Sequence, residues 1–438
     1  MYRAIYRHLE EWKSSPQRKP ILLRGARQVG KSWLVRELGK TFSSFVEINF
    51  EERLDLVPLF DGDISPDHLL PRLSAAAGAP IVPGKTLFFL DEIQLCPRAI
   101  TALRYFYEKL PDLHVIAAGS LLEFTIEQIG IPVGRVSSLY CYPLSFYEFL
   151  IASGHGSLID HLRSLPVETP LDGPLHAKAL SLLSEYMVVG GMPEAVQDWV
   201  TRRDLHRCLK IQRDIVENYR QDFGKYARAR RREHVEMVFS AVPRLVGRKM
   251  VFSHISDSLR SRELKPAFEL LQKAAVVHAV CHSSGNGLPL GAEENSALCK
   301  AFPLDVALMQ SVLHLDHGRW LLDSERHFVN EGALVEAFVG QELIAYRAPF
   351  EKAALHYWVR EKNGAKAEVD YLIEKEGVVV PVEVKSGSGG RMKSLDLFLS
   401  EKKNSTYGFQ VSSAPAGVSG KVRRVPLYAL WRLLQSER

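Results

Sequence analysis

The run Gly25-Ala26-Arg27-Gln28-Val29-Gly30-Lys31-Ser32 sets two glycines, a lysine and a hydroxyl at the spacing G-x-x-x-x-G-K-[ST]. That spacing lets backbone N–H groups of Arg27, Gln28 and Val29 wrap around a chain of phosphates, with a helix N-terminus adding its positive dipole end. In such a loop Lys31 neutralises β- and γ-phosphate oxygens, and the Ser32 hydroxyl is a ligand for Mg²⁺. The flanking residues suit it: Pro20-Ile21-Leu22-Leu23 reads as a short buried strand and Trp33 to Leu38 as a helix. The expected ligand is a nucleoside triphosphate.

A second run, Thr86-Leu87-Phe88-Phe89-Leu90, ends in Asp91-Glu92. A continuous apolar run fits a strand buried on both faces of a parallel sheet, whose C-terminal end is where such sheets bind ligands. Asp91 is expected to hold the Mg²⁺ shell and Glu92 to act as general base on water. The next apolar run, His114 to Ala118, leads to Ser120. Its hydroxyl is suited either to sensing the γ-phosphate or to capping the following helix. Arg135, after a Gly/Pro-rich turn, is a candidate for steadying transition-state charge, in its own site or in a neighbour's; the plain alternative is a surface arginine.

The C-terminal third carries a different chemistry. A helix over 332–343 contains Glu336, and three extended segments follow at 355–359, 368–373 and 378–385. Alternation puts Glu383 and Lys385 on one face of the last strand, with Asp370 on its neighbour. Two or three carboxylates plus a lysine suit a metal-dependent phosphodiesterase: Asp370, Glu383 and Glu336 as oxygen ligands, Lys385 orienting water. A salt-bridge cluster, or an inactive remnant of such a site, has the same composition.

These residues need elements to position them. Alternating strands and helices over residues 1–152 fit an α/β nucleoside triphosphatase core with a parallel sheet. A helical segment follows over 175–235, with Pro193 placed to start a helix after Gly190-Gly191-Met192. Residues 236–310 have a helix–turn–helix pattern and then an extended wing, with a first helix through Phe252, Ile255 and Leu259 and a second carrying Arg262 and Lys265. The Gly-rich stretch Ser283–Ser296 reads as a mobile hairpin tip. Residues 325–438 form the last domain.

Composition limits the function classes. The net charge is +5 over 438 residues, so charge alone calls for no nucleic acid, although Arg202–Lys265 is dense in Arg and Lys. No apolar run is long enough to span a bilayer, and the N-terminus lacks a signal core. Five scattered cysteines without a C-x-x-C pair suggest a reducing compartment rather than a disulfide framework. A cytoplasmic protein is expected.

The chain resembles the prokaryotic AAA-type ATPases that carry a C-terminal DUF4143 domain. The likeness rests on Arg24 with the phosphate loop, Leu90-Asp91-Glu92-Ile93-Gln94, Gly119-Ser120, Gly134-Arg135 and Tyr142 to Leu150. It continues through Gly190-Gly191-Met192-Pro193-Glu194-Ala195-Val196, Glu368-Val369-Asp370 and Pro381 to Gly387. Where members usually read Asp-Thr-Gly-Leu, this chain has Asp305-Val306-Ala307-Leu308. The resemblance implies an AAA-like core, a helical and winged-helix middle, and a restriction-endonuclease-like (PD-(D/E)xK) end. The function it implies is ATP hydrolysis with Mg²⁺ coupled to processing of DNA or another nucleic acid. The alternative is a nucleotide-dependent switch or scaffold for a protein partner with an inactive nuclease-like domain. A homo-oligomer is compatible with either, and no membrane partner is expected.

Overall fold

The computed structural model describes residues 1–226, 229–315, 332–362, 365–387 and 392–434, with side chains left aside at 225–226, 229–230, 361–362 and 365–366. The chain divides into two compact units, residues 1–142 with 348–352, and residues 143–347 with 353–438.

The first unit runs α1 (Tyr6–Ser14), β1 (Ile21–Arg24), α2 (Lys31–Gly39), β2 (Ser44–Asn49), α3 (Pro66–Ala77), β3 (Thr86–Asp91), α4 (Pro97–Lys109), β4 (His114–Ala118), α5 (Leu122–Ile129) and β5 (Ser137–Tyr140). Its strands form one sheet in the order β2-β3-β4-β1-β5, parallel throughout. All six residues of β3 are buried, as are all of β1 and β4. Apolar side chains of these strands pack with α3 and α4 into one core that includes Leu22, Phe88, Leu90, Val115, Leu69 and Leu103. The strand order has a direct consequence. Because β4 lies between β1 and β3, the residues that follow β4 fall between the phosphate loop and Asp91-Glu92.

The second unit opens with helices α6 (Phe146–Ala152), α7 (Gly156–Ser164), α8 (Gly173–Val189), α9 (Pro193–Arg202), α10 (Leu205–Tyr226), α11 (Ala229–Leu245) and α12 (Ser261–Lys273). Then come β6 (Val277–Ser283), β7 (Glu294–Pro303), α13 (Val306–Leu313), α14 (Gly332–Ala345), β8 (Leu355–Lys362), β9 (Ala365–Lys375), β10 (Val378–Val384), α15 (Lys393–Glu401), β11 (Gly408–Ser412), β12 (Gly417–Ser419), β13 (Val422–Pro426) and α16 (Trp431–Leu434). Pro193 starts α9 as expected, since its fixed φ and missing N–H suit a first helical position. Ser145 and Glu148 close a capping box on α6, worth about 1 kcal/mol.

Three expectations are revised here. Residues expected to form the first helix of the helix–turn–helix give only a helical turn at Phe252–His254. The Ser256 and Ser258 hydroxyls bond to each other, and Ser256 takes the Ser258 N–H, so local side-chain bonds displace the helix before it extends. The hairpin tip is packed down rather than free: Leu290 joins Trp358, Val369, Leu372 and Phe398 in one apolar cluster, and Lys402 and Asn404 bond to Asn286. Finally, β6 and β7 do not form a separate wing sheet. Strand β6 pairs in parallel with β8, giving one eight-stranded sheet, β12-β13-β11-β10-β9-β8-β6-β7.

The segment Asp305-Val306-Ala307-Leu308 forms a helix cap. Asp305, fully buried, accepts N–H groups of Ala307, Leu308 and Gly191, so the turn needs no glycine. Cys281 and Cys299 stand opposite each other on β6 and β7 and are disulfide-bonded, against the expectation of free thiols throughout. Pairing across an antiparallel ladder brings together residues that sequence spacing separates. Among the described residues no helix is long and apolar enough to cross a membrane.

Candidate functional site

The phosphate loop occupies the turn from β1 to α2, as its pattern requires. Three backbone positions carry left-handed or open φ values: Gly25 at +142°, Gln28 at +65° and Gly30 at +90°. Gly25 is demanded by space as well, because a Cβ there would lie 2.1 Å from the Cys141 carbonyl oxygen. The loop is buttressed from below by Arg3, whose guanidinium donates to the carbonyls of Val29 at 2.9 Å and Tyr142 at 2.6 Å. Arg24, just before the loop, donates its Nε–H to Glu123 at 2.8 Å.

Lys31 lies at the head of α2 with its ammonium folded onto the carbonyls of Gly25 at 3.0 Å and Ala26 at 2.7 Å. Burial pulls its pKa down, and Cys141, Glu92 and Asp91 oppose that pull. Both of these partners are neutral oxygens, which an anion with more charge can replace. The Ser32 hydroxyl donates to Asp91 Oδ2 at 2.6 Å. Burial raises the Asp91 carboxyl, with the Ser32 hydrogen bond acting against it. A serine hydroxyl and a carboxylate held together at a helix N-terminus are the donor set of a hard divalent cation.

Glu92 follows Asp91 with φ +48°, a left-handed value for a side-chain-bearing residue. Its Oε2 accepts from the Gln94 amide at 2.5 Å, and the Ser120 hydroxyl lies 3.5 Å from the same oxygen. Ser120 does not cap the helix after it; α5 is capped at Leu121 without a side-chain bond. Arg27 pairs with Glu51 at the surface, and Trp33 is exposed on the first turn of α2. Arg135 is a half-buried residue whose Nε–H donates to Glu108 at 2.7 Å.

The C-terminal carboxylates also converge. Val382 on β10 lies opposite Tyr371 on β9, so Asp370 and Glu383 become neighbours, and the Val384 N–H donates to Asp370 at 2.8 Å. Lys385 donates to Glu383 Oε1 at 2.6 Å. Glu336 reaches the group from α14.

Two further residues, which the sequence did not single out for this site, complete it. Lys300 of β7 lies 3.0 Å from Glu336 and 3.7 Å from Asp370, and it also pairs with Glu368; its side chain is 3% exposed. Glu368 is two residues before Asp370, hence on the same face of β9. Burial pushes Glu336 and Glu383 up to about 7, and the nearby Asp370 adds to both shifts. Burial also opposes the Lys300 charge, but Glu336, Asp370 and Glu368 more than offset it and raise its pKa. The cation among these carboxylates is therefore the chain's own. Among the described residues no group of three or more His, Cys, Asp or Glu side chains is arranged to hold a metal ion. The signal in the sequence was a lone lysine inside the apolar run Ala297-Leu298-Cys299-Lys300-Ala301-Phe302.

Four arginines of the basic stretch are paired with acidic neighbours. Arg202 and Arg207 pair with Asp198, Arg203 with Glu185, and Arg220 with Glu217 and Glu236. Of the run Lys225–Arg232, the side chains at 225–230 lie outside the described residues; Arg231 and Arg232 are exposed.

Residues 17–150 match the family model described as an AAA domain. Residues 180–318 and 331–428 match two domains of unknown function, DUF8612 and DUF4143. None of the curated proteins matches the chain. Similar solved structures include the Walker-type ATPase PABY2304 of Pyrococcus abyssi, at 17% identity and TM-score 0.44, covering 70% of this chain and 94% of that one. Another is the Aeropyrum pernix ORC1 protein in complex with DNA, at 15% identity and TM-score 0.30, covering 71% and 91%. Likenesses this loose carry no functional argument. The family models and the loop geometry agree on the coarser point: the chain carries a P-loop ATPase domain of the AAA type, with a DUF4143 domain toward its C-terminus.

Proposed function

We propose that the chain hydrolyses ATP with Mg²⁺ at Lys31, Ser32, Asp91 and Glu92, and uses turnover as a conformational switch toward a protein partner. In this reading the acidic cluster is a structural element of a nuclease-like domain. Backbone N–H groups of the loop and the Lys31 ammonium bind the phosphates, and Lys31 exchanges two carbonyls for phosphate oxygens as ATP enters. Ser32 and Asp91 would hold Mg²⁺, which supplies positive charge against the β- and γ-phosphates. Glu92 takes the proton of the attacking water, and the Ser120 hydroxyl is placed to feel the same water.

The observation that carries the switch reading is Lys300. An ammonium among Glu336, Glu368 and Asp370 occupies the space where a nuclease would need its cation. As they stand, those carboxylates do not fit a divalent ion.

The second reading is nucleic-acid processing, and a specific observation favours it. Glu336 on a helix, then a strand, Asp370 on a strand, and Glu383 with Lys385 at a strand end come together in the order expected of a nuclease. Upstream, α11, a bridge at Lys249, a helical turn, α12 and the β6–β7 hairpin follow a winged-helix order, with Arg262 and Lys265 exposed on α12. The packed-down hairpin tip weighs against use of that wing in a groove.

The deciding experiment incubates purified protein with single- and double-stranded DNA and with RNA, in Mg²⁺ or Mn²⁺. No scission is expected. Scission that Asp370→Ala abolishes, while ATP turnover persists, would overturn the switch reading in favour of the second.

A further inference from the structure

We infer that Gln94 is a positioning residue for ATP hydrolysis, holding the Glu92 carboxylate with its amide N–H so that the carboxylate faces the attacking water. The inference rests on the assignment of Glu92 as general base and goes beyond it.

Three observations point the same way. The Gln94 Nε2 lies 2.5 Å from Glu92 Oε2, and this contact fixes the amide's orientation, since the opposite flip would set two oxygens at that distance. The Gln94 Oε1 is then buried without a hydrogen-bond partner among the described residues. A buried acceptor left open costs stability, so the amide is kept there by what its N–H does at Glu92. The third observation is Gly119. A Cβ at that position would lie 2.1 Å from Gln94 Oε1, so the glycine keeps clear the space the amide occupies. Gly119 needs no left-handed φ; a Cβ there would meet the end of the Gln94 amide and, at 3.0 Å, Leu122, so a side chain at 119 would push the amide off its present place.

Glu92 itself sits at φ +48° on a one-turn corner, a backbone that does not by itself fix where its carboxylate points. Gln94 supplies that aim. In the step served, the water oxygen bonds to the γ-phosphorus as the bond from that phosphorus to the β–γ bridging oxygen breaks, and the bond pair leaves with ADP. Glu92 takes one water proton and returns it to the released phosphate. Gln94 keeps its protons throughout, and its N–H steadies the carboxylate as the charge on Glu92 changes.

The test measures steady-state hydrolysis, equilibrium MgATP binding and thermal unfolding for wild type, Gln94→Met, Gly119→Ala, the double variant and Glu92→Gln. Methionine keeps the length of glutamine without its donor. Gln94→Met is expected to lower kcat on the order of tenfold with MgATP affinity held within about twofold. Gly119→Ala should reproduce that loss by displacing the amide, and the double variant should be no worse than the poorer single one, because both changes break one contact. A kcat near wild type in Gln94→Met would overturn the inference, as would losses that multiply in the double variant. A parallel loss of MgATP affinity would also overturn it, by assigning Gln94 a structural role. Wild-type turnover in Glu92→Gln would instead overturn the base assignment on which this rests.

Discussion

The phosphate loop and the acidic cluster each bury a lysine, and they differ in what that lysine touches. Lys31 is held by two neutral carbonyls, so its charge is left for a ligand to complete. Lys300 is held by Glu336, Glu368 and Asp370, so its charge is already spent inside the fold. A site that waits for a charged ligand is built from partners weaker than that ligand. A site that must stand alone is built from partners of opposite charge and full strength. Sequence composition does not separate the two cases; geometry does.

The comparison can be broken most readily at Glu92. Glu92→Gln should cut ATP turnover by about 10²–10⁴-fold while MgATP binding persists, as phosphate-release kinetics and titration would show. Equal losses of binding and turnover would mean that Glu92 shapes the site rather than acting on water.

Next in size is Lys300→Met. Removing the cation from three carboxylates should destabilise the second unit by about 3–5 kcal/mol at neutral pH, read by denaturant unfolding. The loss should shrink in acid, where Glu336 and Glu383 are protonated. A variant as stable as wild type would show that Lys300 is a bystander.

The third prediction concerns Glu342, buried on α14, where it accepts the Phe146 N–H at 3.0 Å and bonds the Tyr346 hydroxyl. Burial raises it from 4.5 to about 8. Its folded pKa is above its unfolded one, so its contribution is fully present below about 4.5 and is lost as pH rises through about 8. Unfolding midpoints should therefore fall between pH 5 and pH 9, and Glu342→Gln should flatten that slope. An unchanged slope would place the alkaline sensitivity elsewhere.

The smallest effect is expected from the Cys281–Cys299 bridge. It closes a sequence separation of 18 residues, so reduction should cost up to about 3 kcal/mol. Thiol titration of the unfolded, unreduced chain should count the free Cys96, Cys141 and Cys208 and no others. Five reactive thiols would remove the bridge from the account.

What the sequence made legible follows from how local each feature is. The phosphate loop could be read because its chemistry is carried by eight consecutive residues and their backbone. The strand before Asp91 could be read because a sheet covered on both faces demands an unbroken apolar run. Asp370, Glu383 and Lys385 were visible through strand alternation alone. Lys300 was hidden because it meets Glu336 across a helix packed on its strand, and reaches Glu368 and Asp370 through the β7–β6 and β6–β8 pairings, the latter between segments more than seventy residues apart. Gln94 stood in plain view within Leu90-Asp91-Glu92-Ile93-Gln94, yet its role depends on the corner at Glu92 and on the space left by Gly119. The helix expected through Phe252 and Leu259 stops at His254, and just beyond it Ser256 and Ser258 bond to each other instead of continuing the helix. Propensity and period describe an element, and short polar side chains decide where it stops.

ATP turnover without nuclease activity is checked by following phosphate release and DNA strand scission together in Mg²⁺ and ATP, for wild type, Glu92→Gln and Asp370→Ala. Phosphate release should be lost only in Glu92→Gln, and no strand should be cut by any of the three. Scission by wild type that disappears in Asp370→Ala would contradict the switch reading.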